Sequence, residues 1–378
     1  MRCLLLYASF GDGHVQVARA LAEALQRELG AEVAAVDTFR QTNEWLARMN
    51  ERLFEWTTRY APALYGWSYD WTRNLSIRHP LWAALARFSR RAAWQAVEHT
   101  EPDVIVQLFP DHALAELPPG RRPLVAVVLT DFAVHSRWIH ANADLVVVPT
   151  DEAAHHVRRL RGDVAVEVGG IPVRDQFRRC RLPRTAGRRR IVLLAGGRGV
   201  FPQYEGVLER LVRHFPGHEI QVMCGRNARM HERVRAFAER MGHSNICPVG
   251  FTEDVASYLQ QADFVIAKAG GVTIAECLAS GTPMIFYKPL PGQERENARC
   301  LERLGAGRIA GSLADLDRLF AEGAGDIAGA MRRRALELGK PGAASYVAAC
   351  LARHWARRRG CSPAGASDAA RLVLQERG

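Results

Sequence analysis

The chain has 378 residues, a formal charge of +11, and is 48% hydrophobic and 24% charged, enough for two domains that each bury a core. No apolar run approaches the ~20 residues of a membrane helix, and the apolar start leads into a Gly-rich turn rather than a signal-peptide cleavage site. Nearly all the basic excess is arginine with no nucleic-acid-binding motif beside it, which sets that partner aside. In chain order, Cys3–Tyr7 reads as a strand, followed by Gly11-Asp12-Gly13-His14 and a helix with Val15, Ala18, Ala22, Leu25 and Leu29 on its apolar face. Glu32–Asp37 is the next strand. This opening belongs to a doubly wound α/β domain, whose ligands sit at the carboxyl ends of strands. The third glycine of the dinucleotide fingerprint is missing, so NAD is not indicated. His14 falls at the helix start on the ligand edge, as either a polar contact or a catalytic group.

Residues 45–94 differ in character. They hold six of the eight tryptophans and eight arginines with only three acids, in a mostly helical pattern. Such residues serve either as core aromatics with solvated arginines or as a lipid-facing surface, where Trp sits at headgroup depth and Arg meets anionic phosphate. Trp45, Arg52, Trp56, Arg59, Trp67 and Trp71 are the candidates for that surface. The α/β pattern resumes with buried strands over 103–109, 124–130 and 145–149. Asp131 follows the second of these, as a functional carboxylate or as a cap. His135 and His140 lack a third metal ligand at convincing spacing. A basic, Pro-containing stretch over 178–190 reads as a linker.

The second half opens with the strand 191–195 and Gly196-Gly197-Arg198-Gly199, a glycine turn carrying a cation. Further strands span 219–224 and 245–249. The stretch from Ala267 then reads as a strand, a Gly270-Gly271 turn and a helix from about Val272, followed by a second strand and a polar loop, Pro291–Asn297, with helices over 294–304, 313–320 and 326–338 beyond. The uncapped amides of that helix suit a phosphate, and Thr273 and Glu276 beside them suit a hydroxylated group, the pairing a nucleotide presents. The alternative is an ordinary strand–turn–helix connection. Asp315-Leu316-Asp317 lies in a surface helix and is not a metal-binding Asp-x-Asp. The eight cysteines show no Cys-x-x-Cys pair or zinc spacing, as in a reducing compartment.

Five blocks in order resemble a known family: Gly11–Ala18; Thr130-Asp131-Phe132 with His135 and Trp138; Ala195–Val200; Gly270–Thr273 with Glu276; and Tyr287–Ala298. They are similar to bacterial processive diacylglycerol glucosyltransferases and plant monogalactosyldiacylglycerol synthases, and more distantly to the N-acetylglucosaminyl transferase of peptidoglycan synthesis. The resemblance implies an α/β protein of the GT-B fold, two Rossmann-like doubly wound domains facing across a cleft. An acceptor and membrane-facing domain spans 1–180 and a UDP-sugar domain 181–340, with a terminal helix and tail over 341–378. It implies that Gly270, Gly271, Val272 and Thr273 cradle the UDP diphosphate and Glu276 holds the ribose. Gly197, Arg198 and Gly199 line the diphosphate, backbone near Phe251 reads uracil, and Gln293 and Glu294 hold the donor sugar. Gly13 and Asn297 join the donor set. His14 is the implied base, with Asp131 close by. The implied reaction is inverting transfer of a hexose, glucose first, from a UDP-sugar to diacylglycerol or a glycolipid on an anionic membrane. It needs neither metal nor separate cofactor, and the protein is peripheral on the cytoplasmic face. Asp12 and Arg198 depart from the family pattern and leave donor preference open.

Overall fold

The structure, a computed structural model, describes residues 1–9, 12–40, 61–117, 122–179, 189–322 and 324–360. The chain divides into two compact units, Met1–Asp175 together with the chain from Gly342, and Gln176–Pro341.

The first unit contains β1 (Arg2–Tyr7), α1 (Asp12–Leu29), β2 (Glu32–Asp37), α2 (Pro62–Thr72), α3 (Pro80–Thr100), β3 (Val104–Gln107), β4 (Leu124–Val128), β5 (Leu145–Val148) and β6 (Ala165–Val168). These strands form one parallel sheet in the order β2-β1-β3-β4-β5-β6. β3, β4 and β5 are buried along their whole length, which is why they read as unbroken apolar runs rather than alternating ones. The buried face of α1 is Val17, Ala18, Ala20, Leu21, Ala24 and Leu25. It is rotated from the face expected above because α1 packs against both β1 and the terminal helix Ala343–Arg358. Glu167 on β6 ties that helix down, accepting from Tyr346 Oη at 3.0 Å and pairing with Arg353.

The second unit is a parallel sheet in the order β12-β11-β10-β7-β8-β9. Its strands are β7 (Arg190–Leu194), β8 (Glu219–Met223), β9 (Ile246–Val249), β10 (Phe264–Ala267), β11 (Met284–Tyr287) and β12 (Gly307–Ala310). β12 was not anticipated. Gly-Arg-Ile-Ala has too few apolar residues to stand out, and it forms as an edge strand by pairing with β11. The core on one face includes Leu193, Val222, Phe264, Ile266 and Phe237.

Each sheet has one place where the strand order reverses, between β1 and β3 in the first unit and between β7 and β10 in the second. Crevices open there, outside the carboxyl ends of the strands, because successive connections leave to opposite sides.

Candidate active site

In the second unit the loops after β7 and β8 pack together beside the reversal. Gly199 has φ +60°, and a Cβ there would lie 2.1 Å from the Cys224 carbonyl oxygen. Gly225 has φ +56°, and its Cβ would lie 2.4 Å from the Gly196 carbonyl oxygen. The Arg226 N–H donates to the Gly197 carbonyl at 3.0 Å and Asn227 Nδ2 donates to that of Gly199 at 2.8 Å. These glycines are therefore required by backbone-on-backbone packing of two loops, which presents exposed Arg198 at the edge.

Gly270 is different. Its φ of −72° and ψ of 134° suit any residue, and an added Cβ would meet only Thr273 Oγ1, at 3.8 Å. The fold does not need a glycine here, so the missing side chain leaves space outside the turn. The helix Gly271–Ala279 starts at this point with no side chain capping its first amides, a ready anion site. Glu276 is buried in its second turn, 9% exposed. Asn297 is fully buried and donates from Nδ2 to the Ala269 carbonyl at 3.1 Å, so it braces the turn from behind.

The polar stretch Pro291–Asn297 runs into the helix expected over 294–304. Gly292, at φ +88°, ends a short turn and a helix runs from Gln293 to Arg303. Gln293, Glu294 and Asn297 thus lie on the first two turns of a helix, where spacing lets Glu294 reach back and accept the Leu290 N–H at 3.0 Å. Burial pushes the Glu294 carboxyl up, opposed by that amide and by Lys268. Lys268, immediately after β10, has its ammonium pulled down by burial, which Glu294 counteracts and Arg198 reinforces. Neither Lys268 nor Lys288, which follows β11 with φ +47°, was singled out from sequence. A cation directly after a buried strand and just before Gly-Gly was the available signal. At the end of β9, half-exposed Phe251 carries the Arg226 guanidinium 4.0 Å from its ring centroid.

In the first unit His14 stands in the first turn of α1, next to Gly13, at the β1/β3 reversal. Its Nδ1 lies 2.8 Å from the Leu108 carbonyl oxygen and 3.2 Å from Thr130 Oγ1, and its ring meets Phe109 edge-on at 5.3 Å. A carbonyl only accepts, so Nδ1 carries the hydrogen and Nε2 keeps its lone pair. Burial pulls the imidazole down to about 4, so it is neutral at pH 7. Sequence does not pair His14 with Leu108 or with Thr130 of the Thr130-Asp131-Phe132 block, because each lies about a hundred positions away. Asp131 follows Thr130 and is 4% exposed.

His135 is a clip rather than a metal ligand. Its Nδ1 accepts the Arg137 N–H at 3.1 Å, leaving Nε2–H to face Thr72 Oγ1 at 3.1 Å. It holds α2 to the loop after β4. The tryptophans divide accordingly. Trp82 is buried, its Nε1 donating to the Ser76 carbonyl at 2.9 Å, and Trp94 Nε1 donates to that of Glu116 at 3.0 Å. On α2, Trp67 and Trp71 are 63% and 55% exposed and stacked 6.1 Å apart, with exposed Leu64 on the same helix. Trp45, Arg52, Trp56 and Arg59 lie outside the described residues. Among the described residues no three His, Cys, Asp or Glu side chains converge as metal ligands, and no helix is long and apolar enough to cross a membrane.

The comparisons divide as the units do. Residues 14–173 match the monogalactosyldiacylglycerol (MGDG) synthase family model, and residues 192–314 match the glycosyltransferase family 28 C-terminal domain. A processive diacylglycerol beta-glucosyltransferase from Bacillus subtilis is 28% identical over 319 residues, 81% of this chain and 82% of that protein. Among solved structures, Acinetobacter baumannii MurG aligns with a TM-score of 0.59 at 19% identity, over 93% of this chain and 99% of its own. A putative UDP-N-acetylglucosamine 2-epimerase from Listeria monocytogenes aligns with a TM-score of 0.61 at 15% identity, over 94% and 96%. An epimerase thus shares the fold with transferases, and fold alone does not separate the two chemistries. The family matches do: the first unit is similar to MGDG synthases and the second to the C-terminal domain of glycosyltransferase family 28, and the chain is a glycosyltransferase of the GT-B fold.

Proposed function

We propose that this protein transfers a hexose, glucose first among the candidates, from a UDP-sugar to diacylglycerol or a glycosyl-diacylglycerol at the cytoplasmic surface of a membrane. The observation that carries the donor half is Gly270, a glycine the fold does not require, placed at the uncapped start of a helix at the β7/β10 reversal. Backbone amides and neighbouring cations there suit a diphosphate, and Glu276 suits the ribose diol. Gln293 and Glu294 suit the hydroxyls of the sugar. Asn297 then serves by bracing the turn.

On the acceptor side, His14 Nε2 takes the proton from the attacking hydroxyl as its oxygen bonds to the anomeric carbon. The bond from that carbon to the β-phosphate oxygen breaks, and its electron pair leaves with UDP, stabilised by the helix amides. One displacement inverts the configuration. The Bacillus relative is a beta-glucosyltransferase, which fits inversion of an α-linked donor. The exposed Trp67–Trp71 stack on α2 suits the headgroup layer of a membrane holding the acceptor. The charge is a matter for anionic lipid rather than nucleic acid.

The test is an assay of the full chain with UDP-glucose, UDP-galactose and UDP-N-acetylglucosamine against vesicles containing diacylglycerol, with products resolved by mass and anomeric configuration. β-Glucosyl-diacylglycerol, formed equally with a chelator present, is the expected product. An α-linked product would rule out single displacement, and chelator-sensitive activity would rule out the metal-free route. Transfer confined to another lipid would overturn the acceptor assignment.

A further inference from the structure

The mechanism above gives Lys268 no individual role. Lys268 directly follows β10, at the strand-order reversal, between the Gly196–Gly199 loop after β7 and Glu294 beyond β11. Its side chain is half-buried, and among the described residues its ammonium makes no hydrogen bond. A partly desolvated cation without a donor–acceptor partner is costly, and an anion is what compensates it. Glu294 supplies only part of that compensation, because its carboxylate already accepts the Leu290 N–H and because Arg198 adds a second positive charge nearby. Two residues further on, Gly270 leaves open space at the start of an uncapped helix. Ammonium, amides and open space therefore share one turn of four residues.

We propose that the Lys268 ammonium binds the β-phosphate of the donor and takes up the charge that forms there as the sugar leaves. This rests on the second unit being the one that binds a UDP-sugar. When the bond between the anomeric carbon and the β-phosphate oxygen breaks, the electron pair stays on that oxygen, and UDP carries one more negative charge than it did as a UDP-sugar. A cation on the β-phosphate consequently binds the departing group more tightly than the substrate, the condition for raising kcat rather than only lowering KM. Glu294 keeps its place at the sugar and, by its own charge, keeps the ammonium protonated in a half-buried setting.

UMP lacks the β-phosphate, and this makes the proposal testable by calorimetry on the full chain. Lys268→Met should weaken UDP at least about tenfold, as for a lost hydrogen bond to a charged group, and leave UMP within about twofold, well inside one hydrogen bond's worth. It should lower kcat by about 100-fold, the cost of removing one donor from a developing oxyanion. Lys268→Arg should recover part of both effects. Equal weakening of UMP and UDP would make Lys268 a support of the turn and overturn the proposal, as would an unchanged kcat. If the unaltered chain bound neither UDP nor a UDP-sugar, the donor assignment itself would fall. If it bound UDP and Lys268→Met bound it equally well, only the role of Lys268 would.

Discussion

Gly270 and Gly199 are both glycines of the same site, and the structure assigns them opposite reasons for lacking a side chain. At Gly270 the backbone already lies in the extended region and a Cβ has only Thr273 Oγ1 near it, at 3.8 Å. Gly270→Ala should therefore shift Tm by no more than a few degrees, because the entropy removed from the unfolded state, about 0.4–1 kcal/mol, is offset by alanine's poorer standing at this helix N-cap, on the order of 1 kcal/mol. The same methyl would stand where a diphosphate oxygen approaches the helix amides. Overpacking by one methyl costs about 1–3 kcal/mol, which weakens UDP about 5- to 150-fold. Gly199→Ala is the control. Its φ of +60° and a Cβ 2.1 Å from the Cys224 carbonyl oxygen leave no room. A left-handed backbone and overpacking together cost about 2–5 kcal/mol, a fall in Tm on the order of 10 °C. Calorimetry with UDP and a thermal melt on each variant decide the matter. Gly270→Ala with unchanged UDP affinity would refute the donor reading of this turn. A large loss of Tm in the same variant would show that the fold needs the glycine after all.

His14→Gln should lower kcat/KM by about 10²- to 10⁴-fold, the usual worth of a general base, with UDP affinity unchanged by calorimetry. In the unaltered chain the acid limb of kcat/KM should fall as pH drops through about 4, where burial places the imidazole; a limb near 6.5 would mean that His14 is solvated or is not the base. Stability should carry a related signature. His14 and His112 are held near 4 and His135 and His140 near 3, all chiefly by burial. Below about 6.5 the unfolded chain binds protons that the folded chain refuses, so stability should decline as pH falls from about 6.5 toward 4. Urea midpoints from pH 7 to 5 check this, and a flat profile would contradict the burial of these rings. Replacing Trp67 and Trp71 together with alanine should leave Tm unchanged, since both are exposed. Vesicle partitioning should weaken at least about tenfold, from the apolar area no longer inserted. Unaltered partitioning would move the lipid-facing surface elsewhere.

Much of the fold was legible because its signals are local. Parallel strands covered on both faces must be apolar throughout, so β3, β4, β5 and β10 stand out as unbroken runs between turn residues. The Gly270-Gly271 turn likewise announces a strand-to-helix switch within four letters. Gln293 and Glu294 are visible as polar residues behind Pro-Gly at the start of a helix, though a polar first turn leaves the border between loop and helix open.

What the amino-acid sequence determined by itself, then, was nearly all of the elements, their order and the residue types brought to each strand end, since these depend on neighbours a few positions apart; edge strand β12 needed its partner β11. Only the tertiary structure decided which strand ends lie side by side. The β1/β3 and β7/β10 reversals place His14 against Leu108, 94 positions away, and Lys268 beside the loop of Arg198. It also separated like from like: Gly199 packed on backbone from Gly270 facing open space, Asn297 behind the turn from Glu294 beside it, and buried Trp82 from exposed Trp67. The physical reason is common to all of them. Periodicity and propensity act along the chain, whereas burial, desolvation and hydrogen-bond partnership are set by atoms that the chain brings back from far away.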